Sequence, residues 1–235
     1  IDVGPNKLVA NSAGNVGIGT ASPTLPLDIV SNASADALKL RARSGNDYAT
    51  MTFSSNDGAT KWADIQSNVA KDLRFYTNGS SETMRIDAAG IVTKPLQPAF
   101  LVGSSGITNL AVNAYVTVPW NVSEIFDIGS NFASNRFTAP VTGKYQLAVS
   151  LRVENLDSAS QYYILQFTTS NRTYRIIFDP DFGQDNAFWD FGLSTLADMD
   201  AGDTATVEIH QASGTAQTDI NASANWSFFS GYLVC

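Results

Sequence analysis

The chain has one cysteine, Cys235, and one histidine, His210, in 235 residues. A single thiol excludes an internal disulfide framework and a zinc cluster built on cysteines. A single imidazole leaves any metal site dependent on carboxylates or on other subunits. Charge is scarce as well. Charged residues make up 15% of the chain, the formal net charge is −8, and the 14 Lys and Arg residues form no run. That argues against nucleic acid, since phosphate binding needs a concentrated basic face. No apolar stretch approaches the ~20 residues of a membrane helix, so no membrane insertion is expected. No segment keeps a helical period. A chain that starts at Ile1, with neither a methionine nor a signal-like region, reads as part of something longer or as a processed product.

What is present is alternation. In Arg136–Tyr145, RFTAPVTGKY, Pro140 and Gly143 bracket a tight turn. A strand follows with Tyr145, Leu147, Val149, Leu151 and Val153 on one face and Gln146, Ser150 and Arg152 on the other. The closing run WSFFSGYLVC has no polar face. Trp226, Phe228, Tyr232 and Val234 share one phase, while Phe229, Leu233 and Cys235 share the other. A strand apolar on both sides must be covered twice, once by its own domain and once by something else. The simplest cover is another copy of the chain, which makes Trp226, Phe228, Tyr232 and Val234 the expected subunit interface. Cys235, in phase with Phe229 and Leu233, is expected to be a small buried apolar terminus.

The N-terminal third differs. Up to about Lys94 the strands are short and turn signals are frequent, among them Gly14-Asn15, Asn56-Asp-Gly58 and Asn78-Gly79. Brief alternations lie between them, such as Ala49/Met51/Phe53 and Met84/Ile86. Such a region would bury a poor core alone, and three chains wound together would do better. Asn11-Ser-Ala-Gly14-Asn-Val16 aligns with Asp87-Ala-Ala-Gly90-Ile-Val92 as a degenerate internal repeat. Thr93-Lys-Pro-Leu-Gln-Pro98 reads as a neck. The expected architecture is all-β, a β-rich shaft over residues 1–94 followed by a globular head over residues 95–235.

Both halves resemble known families. Phe137-Thr-Ala-Pro140, Gly143-x-Tyr145, Phe229-Ser-Gly-Tyr-Leu233 and, in order before them, Pro98-Ala-Phe100, Val118-Pro-Trp120 and Phe126-Asp127 look like the C1q/TNF-like globular head. That resemblance implies an antiparallel jelly-roll sandwich assembling as a homotrimer, with the last strand near the threefold axis. Gly14-Asn-Val-Gly-Ile-Gly-Thr-Ala-Ser-Pro23 followed by Leu27-Asp-Ile29 resembles a module of bacteriophage tail fibres. Together they imply a virion protein of the phage tail, extracellular, joined to upstream tail-fibre or baseplate proteins. Its trimeric head would attach to a host cell-surface glycan, and three sites on one head would gain avidity. A structural trimerisation cap without a ligand shares every one of these features. A polysaccharide depolymerase would need a carboxylate pair facing a long groove.

Candidate chemistry gathers in one segment. Asp179, Asp181 and Asp185 lie among Phe178, Phe182, Phe188, Trp189 and Phe191. Carboxylates accept hydroxyl hydrogen bonds and aromatic faces support sugar rings, so Asp179, Asp181, Asp185 and Trp189 form a candidate ligand set, with Trp120 a further platform. The same pattern also fits aromatics alternating into a core beneath a solvated acidic loop, or a divalent cation site such as calcium. No catalytic residue, cofactor or metal ligand is otherwise indicated. Asp198-Met-Asp200-Ala-Gly-Asp203 lacks the spacing of a calcium loop and reads as a turn. His210 shares its phase with Thr204, Thr206 and Glu208 and is expected on a polar strand face.

Overall fold

The computed structural model describes residues 8–31, 37–45, 47–120 and 123–235, and no helix occurs among them. The chain forms two compact units, Ile1–Thr93 and Lys94–Cys235.

In the first unit, β1 (Leu8–Ala10), β2 (Val16–Ile18) and β3 (Leu27–Ile29) make a small sheet in which β2 and β3 run parallel. A second sheet is a five-stranded antiparallel meander of β4 (Ala49–Ser54), β5 (Lys61–Ser67), β6 (Leu73–Thr77), β7 (Ser81–Ile86) and β8 (Val92–Thr93). Its register puts Met51, Ile65, Phe75 and Met84 in one row across four strands. Leu73, Ile86 and Val92 line up beside them on the same face. The opposite face carries Thr50, Gln66, Arg74 and Arg85 in one row and Thr52, Asp64, Tyr76 and Glu82 in the next. Arg74 Nη2 stands 2.6 Å from Asp72 Oδ2, and Arg85 Nη2 stands 2.8 Å from Glu82 Oε2. Hydrogen bonds from the Arg74 guanidinium hold the Asp72 carboxyl below its ordinary pKa. The sheet is therefore amphipathic, and its apolar face lies open. Met51, Phe53, Leu73 and Val92 are exposed, and every buried hydrophobic side chain among the described residues lies at Phe100 or later.

The internal repeat is a repeat of geometry. Asn11 Oδ1 accepts from the amides of Ala13 and Asn15, while the Asn11 carbonyl accepts from Gly14. Asp87 Oδ1 accepts from Ala89 and Ile91, and the Asp87 carbonyl from Gly90. Gly14 and Gly90 both adopt positive φ, 82° and 84°, which a side chain with a Cβ resists. One loop chemistry thus closes the hairpins β1–β2 and β7–β8.

The second unit is a sandwich of two six-stranded sheets with every pairing antiparallel. Its strands are β9 (Ala99–Gly103), β10 (Tyr115–Thr117), β11 (Ser123–Ile128), β12 (Phe132–Ala133), β13 (Arg136–Thr138), β14 (Gly143–Leu156), β15 (Tyr162–Thr169), β16 (Thr173–Phe178), β17 (Asn186–Met199), β18 (Thr204–Ala212), β19 (Asp219–Ile220) and β20 (Phe228–Leu233). One sheet runs β11-β9-β20-β14-β17 with β19 also on β14. The other runs β12-β13-β18-β15-β16 with β10 also on β18. Tyr145, Leu147, Val149, Leu151 and Val153 all point into the core, as their alternation requires. They meet Ala205, Val207 and Ile209 of β18 and Tyr163, Leu165 and Phe167 of β15. The Tyr145 hydroxyl donates to the Val141 carbonyl at 2.8 Å, which ties the strand to the turn before it. Burial pushes that phenol's pKa up.

Phe229 is fully buried, with ring centroids 4.9 Å from Phe100, 5.5 Å from Phe167, 5.8 Å from Trp120 and 5.9 Å from Phe132. Cys235 is exposed, contrary to its apolar phase. Its strand's last registered pair is Tyr145↔Leu233, so the alternation that seats Phe229 no longer governs Cys235.

Replacing Phe229 by Ala would leave a cavity at the meeting point of four rings. The expected loss is about 3–5 kcal/mol of folding stability, read as a lower midpoint in chemical denaturation.

Candidate functional site

Of the five residues of the expected ligand set, Trp120 is withdrawn into the core and the other four lie along one segment, 179–189. Trp120 is 1% exposed and packs on Phe229, so its ring cannot serve a ligand as a platform; this corrects the sequence reading. The Val118-Pro-Trp120 segment is drawn inward by backbone bonds, with Val118 N donating to Val207 O at 3.0 Å and Trp120 N to Asn135 Oδ1 at 2.9 Å. Trp189 is half-buried, with Phe178 stacked on it at 4.9 Å and Phe182 at 5.3 Å. Asp185 is exposed and joins two loops to its own. It accepts from the Ser158 amide at 2.9 Å, the Ser158 hydroxyl at 2.7 Å and Gln217 Nε2 at 2.7 Å. Those bonds, the Ser158 hydroxyl's first, lower its pKa. Asp179 and Asp181 remain exposed at the loop. The rings meant to flank these acids are largely spent on packing against one another.

Within β20 the two phases separate as alternation requires, while Trp226 lies in the turn before the strand. Phe229 and Gly231 are buried, while Tyr232 and Val234 are exposed on the other side. Register sets Tyr232 beside Gln146 and Ala99, Ser230 beside Ala148 and Leu101, and Phe228 beside Ser150. Leu196 of β17 lies across from Gln146 on the same face and is exposed. The outer surface of this sheet is therefore mixed: exposed Tyr232 and Leu196 stand in one row with Gln146 between them, and Ser150, Ser194 and Ser230 lie alongside. At its end the Arg152 guanidinium lies 3.5 Å from the centroid of Trp226 and forms a two-pronged pair with Asp190 at 2.9 and 3.1 Å. Phe188 stands on the guanidinium as well, at 5.8 Å. Sequence reasoning missed Arg152, because its partners lie 38 and 74 positions further along the chain and only the strand register brings them together.

The other sheet turns a different outer surface to solvent. His210 stands on the polar face of β18 as expected, between Tyr115 of β10 at 4.6 Å and Tyr162 of β15 at 5.9 Å. Burial beneath these rings lowers its pKa from the ordinary 6.5. Glu208 accepts from Gln166 Nε2 and Thr168 Oγ1, both at 2.7 Å. Gln166 Oε1 and His210 Nδ1 are buried with no hydrogen-bond partner. Tyr115 and Tyr162 carry no motif that would have singled them out.

In the first unit an open cleft of about 630 Å³ lies on the polar face of the meander, lined by Tyr48, Thr52, Lys61, Asp64, Gln66 and Tyr76 among others. Lys61 Nζ stands 2.6 Å from Asp64 Oδ2 there. Asp200 and Asp203 belong to a turn, while Asp198 ends up in β17: Asp203 N donates to Asp200 O at 2.9 Å, and Asp203 Oδ2 accepts from Asp200 N at 2.8 Å. Among the described residues no three His, Cys, Asp or Glu side chains gather as a metal site would require.

No family profile matches the chain, and no curated protein matches it. Among solved structures, the globular domain of a zebrafish complement 1qA protein is similar at 17% identity, over 59% of this chain and 98% of that one, with a TM-score of 0.44. Two structures of murine APRIL, at pH 8.5 and pH 8.0, are similar at 12% and 14% identity, each over 59% of this chain and 99% of theirs, with a TM-score of 0.43.

The half-buried His210 ring supplies a pH test. Its folded pKa lies below the unfolded value, so as pH falls below about 6.5 the unfolded chain takes up a proton before the folded one does. Stability is expected to decline through that window, down to the folded pKa. Denaturation midpoints measured from about pH 7.5 to about pH 5 should fall further for the native chain than for His210→Gln.

Proposed function

We propose that the chain is the distal part of a bacteriophage tail fibre, a homotrimer whose N-terminal unit forms shaft and whose C1q/TNF-like head attaches to a glycan of the host cell surface. The observation that carries this reading is the apolar surface left open on both units. Met51, Phe53, Leu73 and Val92 are exposed on the meander, and Leu196, Tyr232 and Val234 are exposed on the head. Single exposed hydrophobic residues are ordinary, but rows of them set by strand register need a cover. The ion pairs and the open cleft sit on the meander's other face, which suits an arrangement with the apolar face against other copies and the polar face outward.

Assembly also explains why a unit with so little buried hydrophobic surface folds into regular strands. Several chains would supply together the burial that one chain lacks. Three copies of a modest glycan site on one rigid head would gain avidity without any new contact. On this reading Trp226, Phe228, Tyr232 and Val234 are interface residues, the protein works outside the cell as part of the virion, and upstream fibre or baseplate proteins hold its N-terminal end.

Size-exclusion chromatography with light scattering tests the assembly. The expected mass is three times that of the chain, and the double change Phe228→Asp with Tyr232→Asp should lower it, because two carboxylates cannot be desolvated against an apolar partner face without large cost. A monomeric native chain would overturn the reading. Adsorption of the fluorescently labelled trimer to bacteria then separates a receptor-binding head from a structural cap, which would show none.

A further inference from the structure

We propose that the outward face of β10, β18, β15 and β16, centred on Tyr115, His210 and Glu208, is the saccharide-binding surface of this chain. The proposal rests on the reading of the head as a glycan-binding fibre tip and assigns the site within it.

Two parallel rows make this surface. Strand register places Tyr115, His210, Ile164 and Ile177 side by side across four strands. The neighbouring row, about 7 Å along the strands, is Thr117, Glu208, Gln166 and Arg175. An aromatic and aliphatic row beside a row of hydroxyl, carboxylate, amide and guanidinium is the pairing that a pyranose presents in reverse. Its C–H face seeks an apolar ring, and its hydroxyl edge seeks donors and acceptors. Tyr115 is 47% exposed while its ring packs against His210, so part of the side chain stays open.

The polar row is incompletely paired. Gln166, 6% exposed, commits its amide hydrogens to Glu208 and Thr168, and its Oε1 has no partner. His210 Nδ1 has none either. Buried polar atoms without partners cost stability, and these two lie beneath the surface that Tyr115 and Glu208 present. Glu208 is held by two hydrogen bonds on one oxygen, Oε2, which orients the carboxylate in advance. The two outer surfaces differ in their aromatic content: the face of β20 and β14 sets Phe228 and Tyr232 among Gln146, Ala148 and Ser150, whereas the face of β18 and β15 sets Tyr115 and His210 beside a carboxylate and an amide.

The test is a printed array of bacterial O-antigen and capsular oligosaccharides probed with the full chain, with Tyr115→Ala, Glu208→Gln and Asp181→Asn in parallel. Each variant's denaturation midpoint is measured to confirm that it folds. The expected result is a signal on at least one glycan that falls about tenfold or more in Tyr115→Ala, as truncation of an aromatic anchor does, and that also weakens in Glu208→Gln. A signal unchanged by Tyr115→Ala, or one lost in Asp181→Asn alone, would overturn the assignment. So would an array without signal. Light scattering on the same preparations separates the two failures: a trimer that binds no glycan overturns this site, while a monomer overturns the fibre reading beneath it.

Discussion

Tyr145, Leu147, Val149, Leu151 and Val153 enter the core of the head from one strand, and that strand's two edges hold β17 on one side and β20 and β19 on the other. Because side chains alternate with period two, the same backbone that commits these residues inward commits Gln146, Ala148, Ser150 and Arg152 outward. The register of β20 against β14 then decides that Phe229 joins the core and that Phe228 and Tyr232 do not. A slip of one residue would exchange the two sets. The make-up of the outer surface is therefore a consequence of how the inner one is built, and β14 governs both.

The N-terminal unit lacks such a centre. Among its described residues the most buried charged side chains are Asp64 and Asp72, each paired with a nearby cation, while the large apolar residues stay half-buried or exposed. Hydrogen bonding within the meander and the repeated Asx-type loops at Asn11 and Asp87 shape the strands locally. Burial, the larger source of stability, contributes little among its described residues. The two units show two solutions to one problem. The head closes a core with two sheets, and the meander keeps one face in reserve.

The aromatic-acid segment Phe178–Phe191 shows how a composition suited to sugar binding can be spent on architecture. Phe178, Phe182, Trp189 and Phe191 contact one another at 4.9–5.8 Å, and Asp185 joins the β14–β15 and β18–β19 loops to its own. The rings could all be read from the sequence, but whether they faced solvent or each other could not, since that depends on which strand ends meet. Trp120 carries the same lesson. A tryptophan beside a proline gives no sign of the Asn135 side chain and the Val207 backbone that draw its segment into the core.

Alternation and turn chemistry act over a few residues, and so the sequence alone determined the all-β class, the inward phase of Tyr145–Val153, the two-sided terminal strand, the polar-face placement of His210 and the likeness of the loops at Asn11 and Asp87. Tertiary structure decided everything that needed two distant strands in register: Arg152 against Trp226, Tyr115 and Tyr162 around His210, the burial of Trp120 and the single apolar face of the meander. Tyr115 and His210 are 95 positions apart in the chain and 4.6 Å apart in the fold. The physical reason is that strand pairing is chosen by the total burial of a whole sheet, a quantity that no local stretch of sequence contains.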